Sequence, residues 1–240
     1  MSYDRVSYDA ANYDAANAAS DTQAPPFSER LRLETRAARG EAESAVYLRL
    51  LLSGALEPHE YATLMFQYHG VYVELRQAAE ALHDNPCAGP FIASHPCGLD
   101  ELERDLYALL GPDWREHTYL TSAAVDYRDR VREVAASPAA FVAHHYVRYL
   151  SKLTVGQLIR EAVTQVYALG DSGAGATFFA LPAGTSADEL KGSYRALLDA
   201  VPWSAADRTR IVEETRVAFH HNTAVSTALG DWIGSGTSVQ

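Results

Sequence analysis

The sequence predicts an all-α protein folded as one multi-helical domain. Two observations carry this. Apolar residues recur at helical spacing almost throughout residues 27–232, and helix-opening and helix-closing residues punctuate that pattern. A third is the lack of any strand-rich region, which leaves a helix-on-helix architecture.

Each element follows from local signals. Residues 1–26 are expected to form a disordered low-complexity tail: YDAAN occurs twice in tandem, at Tyr8–Asn12 and Tyr13–Asn17, and Pro25-Pro26 closes the segment. Ser28, with Glu29 behind it, is a predicted N-cap for a first helix reaching about Leu52. Glu57-Pro58 opens a second helix to about His83. A loop containing Pro, Gly and both cysteines follows. A short helix runs from Leu99 to Leu110 and stops at Gly111-Pro112, and another runs from Val125 to Ala135. Ser137-Pro138 opens a long helix to about Leu169. Residues 170–179, GDSGAGATFF, read as a glycine-rich turn and an extended stretch. Helices at about 186–200 and 204–230 complete the domain, and residues 233–240 read as a flexible tail.

Composition narrows the function classes. A chain of 240 residues can bury one sizeable core, and its 48% apolar content and mean hydropathy of −0.18 suit a water-soluble domain. No apolar run approaches the roughly 20 residues of a membrane span. The N-terminus is polar and acidic, unlike a secretory signal or a basic transit peptide. The expected location is the cytoplasm, with no membrane partner. The net charge of −11 argues against a nucleic-acid partner, which needs a basic face. Only two of the 20 basic residues are lysines, Lys152 and Lys191. Cys87 and Cys97 are expected to be reduced thiols, with a loop disulfide as the alternative. No metal site is expected from them.

The most informative segment is VAHHYVRYLSKLTVGQ, Val142 to Gln157, which reads as one helix. It resembles the helix that lies over the heme in heme oxygenases, sharing Ala143, His144, Tyr146, Arg148, Tyr149, Leu150, Leu153, Gly156 and Gln157 with the pattern V-A-H-x-Y-x-R-Y-L-G-D-L-S-G-G-Q. Further segments in the same order extend the resemblance over nearly all of residues 27–232: LRLETRAARGEAES, FQYHGVYVELRQAAEAL, LERDLYALLGPDW, GAGATFFALP, LKGSYRALLDAV and VEETRVAFHHN. The resemblance implies a heme-oxygenase-like fold that holds heme between the first helix and the long one.

It also implies site residues. The position of the iron-ligating His is taken by Arg39, in a register set by Leu31 and Thr35 before it and Ala42-Glu43 after it. A guanidinium has no lone pair to offer iron. The Gly-Asp pair of the distal helix is replaced by Ser151-Lys152, and the first Gly of Gly-Gly by Val155. These are the family's catalytic positions, so the catalytic residues of this chain stay open. Arg32 and Arg36 match basic positions on the first helix, Lys191 and Arg195 match the propionate-holding pair, and Tyr146 matches a propionate-binding Tyr. Tyr72 matches a distal-pocket Tyr, and Phe219 and Asn222 match wall residues. Positions 144, 148, 151, 152 and 155 fall within about 100° of arc on one helix face. His144 and Arg148 are expected to have a structural role, in packing or hydrogen bonding, and Tyr68, Tyr72 and Phe66 to belong mainly to the core. His220 and His221 are expected to be plain surface or core histidines, with a substitute iron ligand as the alternative.

The cations carry an energetic argument. Arg39 and Lys152 are expected to face each other across the cleft, with Arg32, Arg36, Lys191 and Arg195 around it. Uncompensated buried cations cost several kcal/mol each, so the cleft either opens to water or holds an anion. Three functions follow. The chain binds heme, another tetrapyrrole or an anionic small molecule in a remodelled cationic pocket, without His-ligated turnover. Alternatively it is an active heme oxygenase, converting heme to biliverdin, CO and iron with electrons from a ferredoxin or flavoprotein reductase. Or it is a repurposed enzyme acting on an acidic small molecule. A di-iron site is a poor fit, since His69 and Glu74, and Glu214 and His221, lack the close pairing such sites use.

Overall fold

A computed structural model describes residues 25–116, 120–167, 169 and 173–235. The described residues are helical, with no strand, as the sequence predicts. In chain order the helices are α1 (Phe27–Glu34), α2 (Arg36–Glu43), α3 (Val46–Leu52), α4 (Pro58–Ala81), α5 (Gly89–Ser94) and α6 (Leu99–Leu110). They continue as α7 (Ser122–Val134), α8 (Pro138–Leu153), α9 (Val155–Val166), α10 (Ala187–Ala200) and α11 (Ala205–Gly234). A 3-10 turn, Thr177–Phe179, lies between α9 and α10. No helix among the described residues is long and apolar enough to cross a membrane.

The core is organised by two long helices. On α11, Ile211, Thr215, Ala218, Asn222, Val225 and Leu229 are all buried and alternate four and three residues apart, one continuous stripe. That stripe packs against α8, with α2, α3 and α7 beside it. Each fully buried aliphatic on it contributes about 1.5–3 kcal/mol of transfer free energy. On α4, Tyr61, Met65, Tyr72 and Leu75 lie on the buried face that meets α6 and α7. α8 is buried on every side from Ala139 to Arg148, which explains why the sequence there is mostly apolar and why its polar members, His144, His145 and Arg148, are hydrogen-bonded.

Local chemistry sets the boundaries. Glu57 and Glu60 form a reciprocal capping box ahead of α4, with Pro58 at its first position. Thr121, Ser137, Ser186 and Ser204 each accept from a backbone N–H at the start of α7, α8, α10 and α11.

Five expectations are corrected. The first predicted helix is three. It breaks at Thr35, whose hydroxyl donates back to the Leu31 carbonyl at 2.7 Å, and again at Ser44-Ala45, where Ala45 is extended. Ser28 is not an N-cap. It lies inside α1, and both its N–H and its hydroxyl donate to Asp199, at 2.8 and 2.7 Å. The long helix ends at Leu153, and Thr154 leaves helical geometry with φ −117° and ψ −94° before α9 begins. The loop after α4 contains the short helix α5, anchored by the buried Phe91. The expected extended stretch at the end of GDSGAGATFF is the 3-10 turn instead, while residues 170–172 lie outside those described. The expected N-terminal tail lies outside them up to residue 24, and α11 runs to Gly234, into the expected C-terminal tail.

Candidate functional site

A cleft opens between α3, α4, α8, α9 and α11 and is roofed by the 3-10 turn. Its wall is apolar and aromatic, with Leu48, Leu64, Met65, Leu102, Ile159, Phe178 and Phe179. Its polar end is one network. Arg148, 8% exposed, donates from Nε to the Tyr72 hydroxyl at 3.3 Å and from Nη1 to Asn222 Oδ1 at 3.0 Å. The guanidinium also lies 3.7 Å from the centre of the Tyr68 ring. No carboxylate comes within 4.0 Å of it among the described residues. The buried positions of α4 and α11 supply Tyr72 and Asn222, so two polar side chains are delivered to this buried cation of α8.

The helix break shapes the roof. Gln157 donates to the Lys152 carbonyl at 3.0 Å and to the Phe179 carbonyl at 2.9 Å. It thereby satisfies a carbonyl freed where α8 ends and ties the 3-10 turn to the break. Gly156 permits this contact: a Cβ there would stand 2.6 Å from Phe179 Cδ1. From below, the buried Asp105 of α6 accepts from Gly175 N–H, Thr177 N–H, Phe178 N–H and the Thr177 hydroxyl. Phe178 then packs edge-on against Tyr72, with ring centres 5.1 Å apart.

The predicted site residues divide into groups. Tyr72, Ser151, Lys152, Val155, Phe219 and Asn222 line the cleft. Arg39, Arg32 and Arg195 do not. They gather around the buried Tyr146 hydroxyl, where burial pushes the phenol up and the three guanidinium groups, Arg39 foremost, pull it back. Arg32 is paired with Glu29 at 2.5 Å, while Arg195 Nε is buried without a partner. Arg36 is exposed, and Lys191 pairs with Asp188 at 3.1 Å.

The expectation that Arg39 and Lys152 face each other across the cleft is corrected. The Lys152 ammonium lies against Gly98, 3.2 Å from where a Cβ would stand. Burial pushes it below the usual lysine range, against the opposing pull of Glu101, Cys97 and Asp105. A buried cation of the cleft is Arg148, which the sequence reading gave a packing or hydrogen-bonding role, and its bonds to Tyr72 and Asn222 agree with that role. Its signal was its place on the same helix face as 144, 151, 152 and 155.

The histidines are engaged elsewhere. His144 approaches Glu214 at 3.4 Å, and His221 stacks on Tyr127 with ring centres 5.0 Å apart. His220 is exposed, and none of the three lines the cleft. His145 donates from Nε2 to the His95 carbonyl and accepts at Nδ1 from Tyr194, both at 2.9 Å, because a carbonyl can only accept. Residues weighed for a di-iron site are likewise committed: His69 to Glu103, Glu74 to Arg132 and Glu214 to Arg130. Both cysteines are free thiols, and burial pushes that of Cys97 up to about 11.

Heme itself is a partial fit. The residues around Tyr146 suit its carboxylates. No imidazole or thiol lines the cleft among the described residues, and the cavity measures about 90 Å³, below the roughly 300–1,000 Å³ of small-molecule pockets. The iron is therefore given no ligand here, and a macrocycle needs the roof to shift.

The family model for heme oxygenase matches residues 25–228. Heme oxygenase 1 of a Nostoc species is 30% identical over 196 residues, covering 81% of this chain and 82% of its own length. Heme oxygenase 2 of a Synechocystis species is 31% identical over 209 residues, covering 86% and 84%. The crystal structure of a Synechocystis heme oxygenase-2 in complex with heme and NO superposes with a TM-score of 0.81 at 28% identity, covering 89% of each chain.

Proposed function

The chain belongs to the heme oxygenase family, and from that premise we propose that it binds heme, another tetrapyrrole or a smaller anion without His-ligated turnover. The observation that carries this reading is the lack of an imidazole in the lining of the cleft among the described residues, with Arg39 at the ligand's position and outside that lining. Arg39, Arg32 and Arg195 supply positive charge for a tetrapyrrole's carboxylates. Arg148 offers a buried cation inside the cleft, held by Tyr72 and Asn222. Lys152, in place of a distal acid, is a donor where that chemistry wants an acceptor, and Val155 narrows the roof.

Active heme cleavage is the second reading, favoured by the intact Arg148–Tyr72–Asn222 network next to the apolar cleft. It requires a ferredoxin or flavoprotein reductase as electron donor. Turnover of a different acidic substrate is the third, favoured by the buried Arg148.

A hemin titration followed by absorbance separates them. The expected result is no His-ligated Soret spectrum in the parent chain and tighter hemin binding with an imidazole signature in Arg39→His. A His-ligated spectrum in the parent chain, with biliverdin formed on adding ascorbate or a reductase, overturns the reading in favour of the second.

A further inference from the structure

A larger cavity lies on the other side of the α8 end, between the C-terminal part of α4, the α5–α6 connection and residues 177–182. Its volume is about 690 Å³, inside the roughly 300–1,000 Å³ range of small-molecule sites. We propose that this cavity is a binding site for a small organic monocarboxylate, held by Lys152 and His95, adjoining the cleft and sharing Lys152 with its lining.

Three observations carry it. The first is His95. It is 1% exposed, lines the cavity, and neither ring nitrogen has a hydrogen-bond partner. Its carbonyl, not its ring, serves His145, and its ring is held between Tyr149 and Tyr194, with centres 4.8 and 5.0 Å away. A neutral imidazole always carries one N–H, and leaving it unsatisfied costs about 1–3 kcal/mol. A carboxylate oxygen satisfies it.

The second is Lys152. Its ammonium sits where Gly98, in left-handed geometry at φ +82°, leaves room for it. No carboxylate lies within 4.0 Å of it among the described residues; its nearest contact of note is the Phe178 ring, 5.0 Å away. Burial pushes the ammonium down, and an anion in the cavity reverses that penalty. Arg76, the other cation there, is already paired with Asp100 at 2.8 Å.

The third is the lining. Ile92, Leu153, Leu181 and Leu190 offer an apolar wall, whereas Glu80, Asp100 and Glu101 add negative charge. One carboxylate on an apolar body fits this arrangement. A polyphosphate or a multiply charged acid is repelled by the three carboxylates.

The chain's two lysines make the test direct. Reductive ¹³C-dimethylation labels Lys152, Lys191 and the N-terminus, and Lys152→Met assigns the first. Phenylacetate and octanoate are then titrated into the full chain. The Lys152 resonance is expected to move with saturation, the Lys191 resonance to stay, and phenylacetamide to have no effect. By calorimetry, Lys152→Met weakens phenylacetate at least about tenfold and His95→Phe at least about threefold. Leu190→Trp, which fills the cavity and leaves both polar groups in place, abolishes phenylacetate binding while the hemin titration stays as in the parent chain. This variant also tests the site should Lys152→Met misfold. The proposal is overturned if roughly 10 mM phenylacetate leaves Lys152 unmoved, if the amide binds as well as the acid, or if Leu190→Trp binds like the parent.

Discussion

Replacing Asp105 with alanine removes the acceptor for four donors at once. Three are backbone N–H groups, of Gly175, Thr177 and Phe178, and the fourth is the Thr177 hydroxyl, at 2.7 to 3.1 Å. Each bond to a charged acceptor is worth about 1.5–3 kcal/mol. They do not add, because the carboxylate itself is desolvated at 1% exposure and its removal relieves that penalty. The orphaned N–H groups remain. The net loss is therefore placed at about 3–5 kcal/mol, as for breaking other buried charged contacts, a large part of a typical 5–15 kcal/mol stability. Asparagine separates the bonds. Oδ1 accepts three of the four donors and Oδ2 accepts only Phe178 N–H. An amide keeps the first set and turns an NH₂ toward Phe178, so Asp105→Asn should cost only about 1–3 kcal/mol. Urea unfolding followed by near-UV circular dichroism measures both. An Asp105→Ala loss under about 1 kcal/mol, or equal losses for the two variants, would refute the argument that this carboxylate anchors the roof.

Acid should weaken the fold in a defined window. Burial lowers His145 from its usual range to about 4, so the unfolded chain binds its proton first, and stability is lost as pH falls from about 6.5 toward 4, by about 3 kcal/mol in total. His95, His144 and His221 are lowered in the same sense, chiefly by burial. Unfolding free energy measured across this range should fall steadily, and less steeply in His145→Gln; a flat profile contradicts it. Gly156→Ala forces a methyl to within 2.6 Å of Phe179. A loss of about 1–3 kcal/mol in thermal unfolding is expected, and no loss would show that the roof yields freely.

What could be read from the sequence was mostly local. Glu57-Pro58 and Ser137-Pro138 were read as helix openings, and there Glu57 pairs with Glu60 and Ser137 accepts from Ala140 N–H, each three positions on, so a short window holds the signal. Tyr72 and Asn222 were legible through the resemblance to the family, and both fall on buried helix faces. The break at Thr154 was not, because it depends on Gln157 reaching the carbonyl of Phe179, 22 residues on. Lys152 illustrates a second limit. The helix register fixed its position, but a four-carbon stem lets its charge settle against Gly98, on a different element. The structural role of Arg148 was legible, but its lack of a carboxylate among the described residues was not, because that is a property of packing.

The clasp made by Gln157 has an evolutionary reading. Its amide grips two main-chain oxygens, those of Lys152 and Phe179, and every residue type presents a main-chain oxygen. Side chains at 151, 152 and 155 are thus free to be exchanged without redirecting the chain. Drift can rewrite the reactivity of this corner while inheriting its scaffold unchanged, and ancestry and activity can part company at these three positions.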